Sequence, residues 1–164
     1  MIRWLGEEAV RLSAHLRALA ARMLRDSSRK RRGKPTSRQI TGRWGEQKAE
    51  KLLREKGYRI LGRCVRLSPR DELDLVARKD GVLVFVEVKT RRTENYGRPV
   101  EAVNRDKRRA LSRAAHRYLR RLRAKPPYFR FDVVEVVGAE GDPKPIVRHL
   151  ENVFTLSRQY KITW

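Results

Sequence analysis

The chain has 164 residues, enough for one domain with a core, and its 41 Lys and Arg against 19 Asp and Glu leave a net charge of +22. Such an excess points to a polyanionic partner, most simply nucleic acid, and argues against a partner of like sign. One cysteine, Cys64, excludes an internal disulfide and suits a reducing cytoplasm, while no apolar run approaches the roughly 18 residues that a membrane span needs.

Taken in chain order, Ile2–Arg25 reads as an amphipathic helix. Ile2, Leu5, Ala9, Leu12, Leu16, Leu19 and Met23 recur every three or four residues, which makes a heptad seam. Glu7, Glu8, Arg11, Arg17 and Arg22 interrupt any apolar stretch, so the segment is no signal peptide. The seam can dock on its own domain or pair with a second copy. Residues 26–41 form a polar linker with Gly33 and Pro35 and no periodicity. Within it, Arg29, Lys30, Arg31 and Arg32 make a basic cluster of the kind that grips phosphates without reading sequence.

A helix is expected over Thr41–Lys56, with Thr41 as N-cap and Gly57 as its stop. Ala49, Leu52 and Leu53 form its inward stripe, and Glu46 shares that face. An inward glutamate near a helix start either complements the dipole or serves a site. Tyr58–Leu67 reads as the first strand. Two further runs, Glu72–Arg78 and Val82–Arg91, flank Asp80-Gly81, a pair suited to the positive φ values of a type I′ hairpin turn. With that pair as the loop, Lys79 meets Val82, Asp74 falls opposite Glu87, and Glu72 falls opposite Lys89.

Facing carboxylates destabilise a sheet. A divalent cation between them would remove the repulsion, since Mg²⁺ ordinarily takes one or two carboxylates plus substrate phosphate. Lys89, two residues after Glu87, lies on the same face. Phosphodiester hydrolysis would use all three: Asp74 and Glu87 to hold Mg²⁺ or Mn²⁺, Lys89 to orient water or neutralise developing charge. The bland alternative is a surface hairpin with a polar face. The nearly continuous apolar run Val82–Val88 argues for a covered strand instead.

Residues 100–124 read as a second helix, with Val103, Ala110, Leu111, Ala114, Ala115, Tyr118, Leu119 and Leu122 as its core stripe. Lys107 stands on that stripe, where it either snorkels to solvent or reaches toward the site. No His or Cys spacing suggests zinc. Tyr128–Val137 and Ile146–Val153 are the last strands, and Asp132 reads as a partner for a neighbouring arginine. A helical crossover between the third and fourth strands implies a mixed sheet with helices on both faces.

The pattern Asp74…Glu87-Val88-Lys89 on a hairpin resembles the PD-(D/E)xK nucleases, the restriction-endonuclease-like superfamily. More narrowly, GRWGEQKAEKLLREKGYRIL (42–61), ELDLV (72–76), VFVEVKTR (84–91), YGRPVEAVNRDK (96–107) and RFDVV (130–134) resemble the YraN-like family of small bacterial proteins, whose core is similar to archaeal Holliday-junction resolvases. The resemblance covers about residues 41–156.

It implies an α/β fold with a restriction-endonuclease-like αβββαβ core around a mixed sheet. The chain would then divide into an N-terminal helix (1–25), a linker (26–41), an endonuclease-like domain (42–156) and a tail (157–164). It further implies Asp74, Glu87 and Lys89 as catalytic residues with Glu46 assisting, and structured or branched DNA as substrate in the cytoplasm. Arg91 and Lys107 join Arg29, Lys30, Arg31 and Arg32 as expected nucleic-acid contacts. Cys64 and Asp71 stand where the family pattern has Asn and Gly, and Asp71 is expected to add a carboxylate near the site. A homodimer is expected too, because a four-way junction offers two symmetric strands. The competing reading is a basic nucleic-acid-binding protein that keeps the fold without turnover.

Overall fold

The structure, a computed structural model, describes residues 34–93 and 103–156. The elements run α1 (Ser37–Glu55), β1 (Arg59–Ser68), β2 (Asp71–Lys79), β3 (Val82–Arg91), α2 (Arg105–Arg120), β4 (Tyr128–Val137) and β5 (Ile146–Phe154). The heptad seam of residues 2–23, the Arg29–Arg32 cluster and the tail lie outside the described residues.

Helix α1 begins five residues before the expected start because Thr36, not Thr41, is its N-cap. The Thr36 hydroxyl accepts from the Gln39 backbone N–H while the Gln39 side chain accepts from the Thr36 N–H at 3.0 Å, a reciprocal capping box. Thr41 sits inside the helix and donates its hydroxyl to the Ser37 carbonyl. The linker assigned to residues 26–41 therefore gives up 37–41 to the helix. Helix α2, by contrast, is shorter than expected, capped by Asn104, whose side chain accepts from the Lys107 N–H.

The five strands form one sheet in the order β1-β2-β3-β4-β5, antiparallel throughout except for the parallel pair β3–β4 that α2 connects. It is mixed, as expected. The central strands are apolar on both faces because both are covered. On one side α1 sets Trp44, Ala49 and Leu53 against Leu75, Ala77, Val84, Val86 and Val134. On the other, α2 sets Leu111, Ala115, Tyr118 and Leu119 against Val76, Leu83, Phe85, Phe131 and Val133. Phe85 lies at the centre of that second core, with ring centroids 5.6 Å from Tyr118 and 5.5 Å from Phe131.

Asp80 (φ 49°) and Gly81 (φ 81°) make the expected positive-φ turn, and the ladder runs in the expected register from Lys79↔Val82 to Leu75↔Val86. There it ends. Asp74 and Glu87 are not ladder partners, and neither are Glu72 and Lys89; Glu72 instead lies opposite Arg66 on β1 and pairs with it at 2.6 Å. A change in β2 itself accounts for this. Leu73 and Leu75 would share a face in a regular strand, yet Leu73 packs in the α2-side core and Leu75 in the α1-side core. The strand turns over at Asp74. Level with it on β1, Cys64 takes a left-handed conformation (φ 45°) that favours Asn or Gly, which explains why Asn is the residue expected there.

Helix α1 comes close to β3 at Gly45, where an added Cβ would collide with the Thr90 side chain. Alanine improves helix propensity by about 1 kcal/mol, but overpacking a fixed contact costs about 1–3 kcal/mol. Gly45→Ala should therefore lower the melting temperature in a thermal scan; an unchanged or higher value would mean that α1 and β3 are not locked together here.

Candidate functional site

Where β2 and β3 part, a cleft of about 400 Å³ opens, lined by Arg38, Thr41, Gly42, Glu46, Asp74, Glu87, Val88, Lys89 and Thr90. All four expected catalytic residues, Asp74, Glu87, Lys89 and Glu46, stand around it. Three of its other walls come from the first turns of α1. Arg38, Gly42 and Glu46, spaced four apart, share one helix face. Arg38 escaped the sequence reading because its segment was assigned to the linker, although the Thr36-x-x-Gln39 capping signal would have placed it on a helix. The first turn of α1 carries no acidic residue of its own to offset its positive end.

The end of the β2–β3 ladder sets up the acidic pair. Val88 has lost a strand partner for its N–H, and the Asp74 carboxylate takes over as acceptor at 2.8 Å. Burial, and next the negative charge of Glu87, push the Asp74 carboxyl up to about 7, against the pull of the Val88 N–H and Lys107. Glu87 is 2 % exposed. Its Oε1 accepts two ammoniums, Lys89 Nζ and Lys107 Nζ, each at 2.8 Å. Its Oε2 is buried without a hydrogen-bond partner among the described residues. Lys107 thus reaches the site and does not snorkel to solvent. Burial opposes its charge, but Glu87, Asp74 and Glu72 outweigh that and hold its pKa above the usual lysine value.

Glu46 accepts a hydrogen bond from the Cys64 thiol at 3.1 Å. Burial foremost, then Glu46 itself, pushes that thiol up to about 12, so Cys64 stays a neutral donor and not a thiolate. The neighbouring Glu50 serves the fold: its hydrogen bond from Arg63 on β1 and another from Arg54 hold its carboxyl below the usual range against the effect of burial.

Other charged groups are engaged within the fold. Asp71 is buried against α2, paired with Arg113 at 2.7 Å and Arg117 at 3.0 Å, and is not part of the cleft lining as expected for it. Arg91 is only 18 % exposed and faces Glu135 at 3.8 Å. Asp132 pairs with Arg130 as expected, and also meets the His149 Nε2 at 2.9 Å and the Asn152 N–H, tying β4 to β5. Among the described residues, no three His, Cys, Asp or Glu side chains converge on one cation position. No described helix is long and apolar enough to cross a membrane.

Fold and cleft together define a strongly basic α/β protein with a buried, partly unsatisfied glutamate beside a half-buried aspartate at the opening of a five-stranded mixed sheet. The profile of the Uncharacterised protein family UPF0102 matches residues 45–136. A UPF0102 protein of Symbiobacterium thermophilum is 55 % identical over 114 residues, covering 69 % of this chain and 94 % of that one. UPF0102 proteins of Desulfosudis oleivorans (46 % identity, 63 % of this chain and 83 % of that one) and Syntrophomonas wolfei (44 %, 69 % and 96 %) are similar in the same way. The chain belongs to the UPF0102, or YraN-like, family.

The Asp74 environment makes a pH prediction. Its folded pKa lies above the ordinary carboxylate value of about 4, so the stability this group contributes is full below that value and is lost as pH rises through about 7. Asp74→Asn keeps an acceptor for the Val88 N–H but cannot ionise. In metal-free buffer at about pH 8 the variant should melt above the parent, and the gap should narrow as the pH falls towards about 4. Equal melting temperatures at both pH values would contradict the assigned environment.

Proposed function

We propose that this protein is a divalent-cation-dependent nuclease-type enzyme with a restriction-endonuclease-like core, hydrolysing phosphodiester bonds in structured or branched DNA. The observation that carries the reading is the Glu87 carboxylate, buried with one oxygen unpartnered beside the partly buried Asp74. A buried acceptor left without a partner is uncommon and calls for an ion or ligand. The donor set fits Mg²⁺ or Mn²⁺: two carboxylates, no third side-chain ligand among the described residues, and open space for water and phosphate oxygen. Asp74 and Glu87 would hold the ion, which when bound polarises the phosphate and lowers the pKa of a bound water.

The chain's own residues do the rest. Lys89, beside Glu87, neutralises charge that develops on the phosphoryl oxygens or orients the attacking water. The positive end of α1 and the Arg38 guanidinium supply an anion-binding wall across the cleft. Glu46, held in place by the Cys64 thiol, faces the same space as an acceptor for a water proton. The net charge of +22 and the Arg29–Arg32 cluster favour a sequence-tolerant grip on phosphates.

The competing reading, a nucleic-acid-binding protein without turnover, draws on one feature: Glu87 is paired with two ammoniums of the chain itself, Lys89 and Lys107. Incubation with plasmid, single-stranded, flapped and four-way-junction DNA, with and without Mg²⁺ or Mn²⁺, separates the two. Cleavage should require the ion. Asp74→Ala and Glu87→Ala should lose both Mn²⁺ binding by calorimetry and cleavage, whereas Lys89→Ala should keep Mn²⁺ binding and lose turnover by about 10²–10³-fold. Salt-sensitive binding with no cleavage of any substrate would favour the non-catalytic reading.

A further inference from the structure

Lys107 is the group in this site that its position on the helix does not explain. It lies in the first turn of α2, where the helix dipole disfavours a cation, and on the stripe that carries Leu111 and Ala114 into the core. What holds it there is Glu87, whose Oε1 it meets at 2.8 Å while Lys89 meets the same oxygen at the same distance. Two ammoniums crowd one oxygen and leave the other, Oε2, buried and bare. Lys89 and Lys107 together match the formal charge of Asp74 and Glu87. A divalent cation entering the cluster would therefore leave it two charges in excess, and like charges at such distances, in poorly solvated surroundings, repel strongly.

We propose that Lys107 is a second functional lysine of the site: the resident counter-cation of Glu87, which gives up the carboxylate when a divalent cation binds and turns to the substrate phosphate. Of the two ammoniums, Lys107 is the one free to leave. Lys89 is two residues from Glu87 on a strand bonded to β4 as far as Arg91↔Val137. Lys107 comes from a different element, and its side chain is 35 % exposed against 28 % for Lys89, so it has an outward route. The exchange also links the two ligands. The excess charge of the ion-loaded site is relieved by an anion, so cation and DNA should each strengthen the binding of the other. No bond is made or broken in this step; an ion pair is traded for another.

The inference rests on the proposed cation site, and the test keeps the two apart. Mn²⁺ affinity is measured by calorimetry on the full chain for the parent and for Lys107→Met, Lys107→Arg and Asp74→Asn, alongside single-turnover cleavage of four-way-junction DNA. Lys107→Met should bind Mn²⁺ about tenfold more tightly, because a competing and repelling charge is gone, yet cleave more slowly at saturating Mn²⁺. Lys107→Arg, which keeps the charge, should bind like the parent, and Asp74→Asn should not bind. A packing role alone would not move affinity and turnover in opposite directions. If Asp74→Asn abolishes binding while Lys107→Met binds no more tightly than the parent, the counter-cation proposal is overturned and the cation site stands. Should the parent itself bind no Mn²⁺, both fall.

Discussion

A carboxylate with almost no exposure, clamped through one oxygen by two lysines, is the constraint around which this structure is arranged. An isolated buried charge is expensive, and burying Glu87 is tolerable only because Lys89 from its own strand and Lys107 from α2 meet it. The arrangement fixes more than charge. Strand β3 must run deep between β2 and β4, α2 must start close enough for Lys107 to reach across, and β2 must leave its ladder early enough to open a path to the carboxylate. Each of these is seen. The early end of the β2–β3 ladder is the one that a regular sheet would not show.

The departure of β2 from β3 converts a sheet into a site. The turnover of β2 at Asp74, opposite the left-handed Cys64, ends the ladder at Leu75↔Val86 and leaves Val88 N–H to the Asp74 side chain. One irregularity thus orients a carboxylate, opens a cleft and seats a thiol against Glu46. The contact between Gly45 and Thr90 then brings the positive end of α1 over the opening. The cleft consequently has an acidic floor and a basic rim, which suits a cation and a phosphate held together.

Much of this was legible in the residues themselves. Asp80-Gly81 fixed the hairpin turn, and counting outward from it gave the observed ladder as far as Leu75↔Val86. The strand and helix faces followed from periodicity, and Asp132 was correctly matched to Arg130. The reading failed where the chain departs from periodic structure. Nothing in a cysteine announces a left-handed residue, so the end of the ladder, and with it the true relation of Asp74 to Glu87, could not be counted out. The start of α1 was missed because Ser37, Arg38 and Gln39 are polar and carry no apolar rhythm; only the Thr36–Gln39 capping box marks it. Asp71 was drawn toward the site by sequence proximity, whereas its partners, Arg113 and Arg117, lie some forty residues further along the chain. Lys107 stood out as misplaced on an apolar stripe, but its partner could be named only once the fold had brought α2 to β3.

The most direct test of the central claim, that the Asp74–Glu87 pair exists to receive a divalent cation, is anomalous diffraction from crystals of the full chain soaked in Mn²⁺. The account predicts one anomalous peak between the Asp74 carboxylate and Glu87 Oε2, with Lys107 withdrawn from Oε1. A well-ordered site with both lysines still on Glu87 and no anomalous density beside it would contradict the account.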